Sequence, residues 1–176
     1  MKKEKSNAVG QRWNPPPAGW HKCNVDGAFY NEAGQGATGA VVRNPAGCFE
    51  AGRARWYAHG LDAMMMEAIA CRDGMILARN QGVERLHLET DCQELANMWA
   101  KGSSQRSYLA PIFMEMQELS VVFSEFILLY ASRSCNRITH LLAKQVTGDI
   151  RFGEWQLAPS CIDHLLTEEC NLVDHR

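Results

Sequence analysis

Residues 23–29 alternate between two faces. Cys23, Val25, Gly27 and Phe29 fall on one side and Asn24, Asp26 and Ala28 on the other, which is the period-two pattern of a strand. Gly34 and Gly36 mark the turn that follows, and residues 39–43 resume strand character. Asn44-Pro45-Ala46-Gly47 has Pro second and Gly fourth, so it closes a hairpin onto a third strand over residues 48–57. The period then changes. Asp62 can cap a helix reaching Asn80, with Met66, Ile69, Ala70, Ile76 and Leu77 as its apolar stripe and Gly82 as its stop.

Residues 85–90 alternate again and predict a fourth strand. Asp91 and Glu94 read as a capping box for a short helix ending near Lys101 and Gly102. Pro111 suits the first turn of a helix whose stripe is Ile112, Met116, Leu119 and Phe123. Residues 126–131 form a nearly continuous apolar run and predict a strand that is central or buried on both faces. Asn136 caps a last helix with Ile138, Leu141, Leu142 and Val146 inward. The order β-β-β-α-β-α-α-β-α predicts an α/β domain with a five-stranded mixed sheet, its first three strands antiparallel.

Length and charge add boundaries to this pattern. The 176 residues suit one domain of about 150 residues with flanks. Hydrophobic residues at 46% and charged residues at 22% exclude a disordered chain, a collagen or a simple coiled coil. The net charge is −2, unevenly spread: +3 over residues 1–20, −1 over 21–147 and −4 over 148–176. That balance excludes nucleic-acid binding by bulk positive charge. Residues 1–20 predict a disordered basic leader ending in a stiff polyproline linker between Trp13 and Trp20. The folded domain is expected over 21–147. The acidic tail 148–176 is expected to carry a short helix, capped by Ser160 or Asp163, that docks Ile162, Leu165 and Leu166 on the domain or on a protein partner. Seven scattered cysteines show no disulfide framework. No apolar stretch follows the first charges, and no run approaches the ~18 apolar residues of a membrane span. An intracellular setting, cytoplasm or nucleus, is expected, and a monomer.

Three acids sit where acids are unusual. Asp26 lies within a strand, where Asp is depleted. Glu67 shares a helix face with the small residues Ala63, Ala70, Cys71 and Gly74, where a carboxylate needs a partner. Asp91 ends the fourth strand, and helix capping alone would account for it. Three carboxylates in one pocket repel one another and demand a cation. Oxygen-only ligands suit Mg²⁺ or Mn²⁺, and such sites favour phosphoryl transfer.

Cys23-Asn24-Val25-Asp26-Gly27-Ala28, Glu67-Ala68, Thr90-Asp91-Cys92-Gln93 and Asn136-Arg137-Ile138-Thr139-His140-Leu141-Leu142-Ala143 together resemble type 1 ribonuclease H. The leader Trp13-Asn14-Pro15-Pro16 and the residues around 159–174 are similar to its plant retroelement-derived branch. The resemblance implies a ribonuclease H-like fold with helices on both faces of the sheet. It also implies cleavage of the RNA strand of an RNA–DNA hybrid, with Asp26, Glu67 and Asp91 as metal ligands. Gln93 would lie along the minor groove near sugar hydroxyls, or else be an exposed first-turn residue. Arg133, Asn136 and Arg137 flank the last helix as substrate-binding candidates, with surface solvation the alternative for the arginines.

Two positions depart from the family pattern. His140 stands where the family commonly has a fourth acid. Imidazole matches Mg²⁺ poorly, so the second metal site should be weaker. Alternatively, an imidazolium among carboxylates can donate to the leaving group or a phosphate, or His140 is an ordinary polar residue. Residues 102–107 replace a basic protruding loop with a short one holding a single Arg. These departures leave two readings open, a hybrid nuclease and a non-catalytic module that binds nucleic acid or protein. Cys161, His164, Cys170 and His175 offer four zinc-type ligands, but at a spacing that matches no known zinc module.

Overall fold

The computed structural model describes residues 11–102 and 106–171. Three strands, β1 (His21–Tyr30), β2 (Gln35–Arg43) and β3 (Phe49–Tyr57), form the expected antiparallel meander. After it come α1 (Ala63–Asn80), β4 (Arg85–Thr90), α2 (Gln93–Ala100), α3 (Ala110–Ser120), β5 (Glu125–Tyr130), α4 (Arg137–Ala143), β6 (Phe152–Trp155) and α5 (Ser160–Asn171). The sheet order is β5-β4-β1-β2-β3-β6, with β1, β4 and β5 parallel to one another.

Among the described residues the sheet has six strands, not the expected five. The sixth, Phe152-Gly153-Glu154-Trp155, pairs antiparallel with β3, and Arg53 meets Glu154 at 2.9 Å across that pair. Four residues are too few for a period to declare itself. The apolar run 126–131 is also placed differently. β5 is an edge strand, not a central one, and Ile127 and Leu129 are exposed. Phe126 and Leu128 face the helices, whereas α4 on the opposite face packs on β1, β2 and β3 and leaves β5 uncovered.

Helices cover both faces. Cys23, Val25, Ala40, Val42, Leu86 and Leu88 form the main core with α1, α2 and α3. On the other face Val41 packs with Ile138 and Leu142 of α4 and Ile162, Leu165 and Leu166 of α5, so the tail helix docks on this domain. Asp62 caps α1 as expected, accepting from the Met65 N–H at 2.8 Å.

Two glycines set how closely the helices approach. A Cβ on Gly27 would lie 2.4 Å from the Met66 carbonyl of α1. A Cβ on Gly39 would lie 2.2 Å from the Thr139 carbonyl of α4, on the opposite face. Gly39 is the cross-strand partner of Asp26. The two bare backbone positions therefore bring both helices in on either side of that acid.

Trp13 was expected in a linker outside the domain, yet its ring is buried. Its indole N–H donates to Asn24 Oδ1 at 2.9 Å, and the buried Arg43 guanidinium stacks 3.6 Å from the ring centroid. Arg43 also binds Glu169 of α5 in a buried ion pair. Asn24 and Lys22 both bond Glu89, which completes a network of balanced charge. Burial of charges is tolerable only when they are paired and hydrogen-bonded in this way.

Candidate active site

Asp26 is on β1, and Asp91 follows the last residue of β4. The parallel register pairs Val25 with Thr90, which sets the two acids side by side. Gly27 lets α1 descend onto β1, and Glu67 then accepts from the Gly27 N–H at 3.3 Å and from the Thr90 hydroxyl at 3.4 Å. One carboxylate oxygen from each of Asp26, Glu67 and Asp91 lies within 4.8 Å of the others. The expected capping role of Asp91 is not seen. The N-cap of α2 is Cys92, with no side-chain cap, so the Asp91 carboxylate is left to the cluster.

The electrostatics carry the mark of that convergence. Burial pushes the Asp26 carboxyl above its ordinary value and the charge of Asp91 adds to this, while the His140 hydrogen bond pulls the other way. Glu67 is raised well above its ordinary value, first by burial and then by Asp91 and Asp26. Burial also raises Asp91, opposed by the Arg133 guanidinium. Three mutually repelling carboxylates, one buried and two partly buried, with an all-oxygen donor set fit a hard divalent cation. Asp26, Glu67 and Asp91 are the residues that would hold it.

His140 on α4 stands beside this group without joining its convergence. Its Nδ1 lies 3.0 Å from Asp26 Oδ2, and its side chain is more than half exposed. Asn136 directs its amide to the Val25 carbonyl at 2.6 Å and accepts from the Thr139 hydroxyl at 2.7 Å. It therefore ties α4 to β1 one residue before Asp26; it occupies the N-cap position of α4, but its side chain does not make the expected capping bond, because it is spent on this tie.

Arg133, Arg137 and His140 line, with the three acids, a cleft of about 490 Å³. Arg133 is almost fully exposed, its Nε 3.8 Å from Asp91 Oδ2. Gln93 is exposed on α2, donates to Asn97 Oδ1 at 3.0 Å and does not line that cleft. Residues 103–105 of the short loop lie outside the described residues. Its Arg106 turns back to Glu94 and Asp62.

Cys161 and His164 sit on α5, and His175 lies outside the described residues. Among the described residues, the acid trio is the one cluster of three metal-type ligands. Two supporting residues escaped the sequence reading. The Thr90 hydroxyl reaches Glu67, a contact whose only sequence signal is the inward phase of β4. Glu168 of α5 lies 3.5 Å from Arg137 and has no local signal at all.

A family model described as reverse transcriptase-like matches residues 24–146. No curated protein matches the chain. Among solved structures, RNase H1 from the halophilic archaeon Halobacterium salinarum is similar with a TM-score of 0.67 at 19% identity, over 72% of this chain and 96% of that one. The N-terminal RNase H domain of a Mycobacterium tuberculosis protein gives 0.66 at 17%, over 72% and 91%. LC11-RNase H1, solved in complex with an RNA/DNA hybrid, gives 0.64 at 11%, over 72% and 95%. At these identities the structural likeness establishes the fold, and the match over residues 24–146 establishes the family. The chain belongs to the reverse transcriptase-like family and has the RNase H-like fold.

Proposed function

We propose that this protein is a metal-dependent endonuclease that hydrolyses the RNA strand of an RNA–DNA hybrid. The observation that carries the reading is the convergence of Asp26, Glu67 and Asp91 from three separate elements into one group. Mg²⁺ or Mn²⁺ bound there would activate water and stabilise the leaving 3′ oxygen. The chain's own residues do the rest. Gly27 and Thr90 hold Glu67 in place, and Asn136 fixes α4 against β1 so that His140 meets Asp26. With Nδ1 on Asp26, His140 offers Nε2 to a phosphate or leaving oxygen. Arg133 and Arg137, on the rim, supply cationic contacts to the backbone. Recognition of the hybrid over DNA follows from the 2′-hydroxyls of the RNA strand. The Trp13-Asn14-Pro15-Pro16 leader supports a retroelement-derived lineage for the domain.

The test is cleavage of a labelled RNA–DNA hybrid with Mg²⁺ and with Mn²⁺, comparing the wild type with Asp26→Asn. The expected result is RNA-strand cleavage that Asp26→Asn abolishes. Cleavage indifferent to that change would overturn the site. A second reading, a binding module without catalysis, is favoured by the His140 bond that occupies one Asp26 oxygen. Hybrid binding without cleavage in either ion would establish it.

A further inference from the structure

Arg137 is shared between surfaces. It lines the acid cleft, and it also lines an adjoining groove of about 320 Å³ between Trp13 and α5, where Glu168 and Glu169 are found. The two glutamates are neighbours in sequence but differ in environment. Glu169 is buried and paired with Arg43, and with Ile162, Leu165 and Leu166 it anchors α5. Glu168 is half-exposed, and its Oε1 lies 3.5 Å from Arg137 Nη1. Glu168 is thus held in the adjoining groove, against Arg137 at the cleft rim, by a firmly docked helix. Of the two arginines on that rim, Arg137 already has Glu168 as an anion.

We propose that Glu168 sets the affinity of the cleft for nucleic acid, by holding Arg137 in an ion pair that a substrate phosphate must displace. This rests on the nucleic-acid reading above. A phosphate that takes the Nη1 edge of Arg137 displaces Glu168, whose other oxygen lies 3.9 Å from His164 Nδ1, so Arg137 contributes less than an unpaired guanidinium would. The pair is half-exposed and its competition is modest, worth about a two- to fivefold change in affinity. Its signature is in the salt dependence. Each phosphate neutralised by a free cation contributes about 0.9 to the slope of log affinity against log salt. Freeing Arg137 should steepen that slope by up to about this amount.

The experiment measures binding of a fluorescent RNA–DNA hybrid to the full chain carrying Asp26→Asn, across a salt series. Adding Glu168→Gln should tighten binding about two- to fivefold and steepen the slope. Arg137→Gln should weaken binding and flatten it. In the Arg137→Gln background, Glu168→Gln should have no further effect. Unchanged affinity and slope in Glu168→Gln would overturn the proposal. So would equal tightening with and without Arg137, because the effect would then be bulk charge. If the Asp26→Asn chain binds no hybrid at all, the nucleic-acid reading falls and takes the proposal with it. Binding that persists but ignores Glu168 refutes this inference alone.

Discussion

Gly27→Ala tests how the acid group is assembled. The added methyl would lie 2.4 Å from both the carbonyl carbon and oxygen of Met66 and 2.6 Å from the Glu67 nitrogen. All three are helix backbone, so no rotamer change relieves the contact. Ordinary van der Waals contact begins near 3.4 Å, so α1 must withdraw by about 1 Å. The bond from the Gly27 N–H to Glu67 Oε1, already 3.3 Å, then opens to roughly 4 Å and is lost. Overpacking of this kind costs about 1–3 kcal/mol. A misplacement of about 1 Å at a reacting group costs about a hundredfold in rate. Urea denaturation should therefore show a loss of about 2 kcal/mol, and hybrid cleavage should fall about a hundredfold even at saturating metal. Gly148→Ala is the control, since a Cβ there has its nearest neighbour at 3.9 Å, and it should change neither quantity. If Gly27→Ala kept both stability and activity, the close approach of α1 would not be what positions Glu67.

Folded-state carboxyls raised above their ordinary values favour folding at low pH, and that contribution is lost as pH rises through the raised values. The chelator-treated protein should thus melt lower as pH climbs above about 4, and Glu67→Gln should flatten this dependence. Equal slopes for the two proteins would exclude repulsion within the trio. Saturating Mn²⁺ should raise the melting temperature of the wild type more than that of Glu67→Gln. His140→Asp should restore a fourth oxygen ligand and lower the Mg²⁺ concentration needed for half-maximal cleavage about tenfold, and an unchanged requirement would reject that role. Glu169→Ala leaves the Arg43 guanidinium buried without its partner and should cost about 3–5 kcal/mol by denaturant titration, much of it regained in Arg43→Met with Glu169→Leu.

The acid trio was legible because two members contradict their surroundings, Asp26 in a strand and Glu67 on a face of small residues, and because Asp91, which capping alone would explain, stands in a motif that matches theirs. Once the strands are parallel in the order β1, β4, β5, such acids must meet at one end of the sheet. What stayed hidden depends on contacts between distant segments. An apolar run such as residues 126–131 announces burial but not the number of covered faces, which the reach of α4 decides. Residues 152–155 become a strand only because the free edge of β3 is there to pair with. The pocket for Trp13 is built from Asn24, Arg43, Ala131 and Cys135, and no local pattern links these to a polyproline segment.

Trp13 and Glu169 lie outside the stretch 24–146 that the family shares, one before it and one after, yet both close on Arg43. A chain trimmed to the shared stretch would keep the guanidinium and discard its stacking ring and its counter-ion together. Losing either flank alone would leave the other with half a partner. The piece that keeps Arg43 both stacked and charge-paired is therefore wider than the matched stretch, running at least from Trp13 through Glu169, and Arg43 fastens the leading and trailing segments to one point on the sheet.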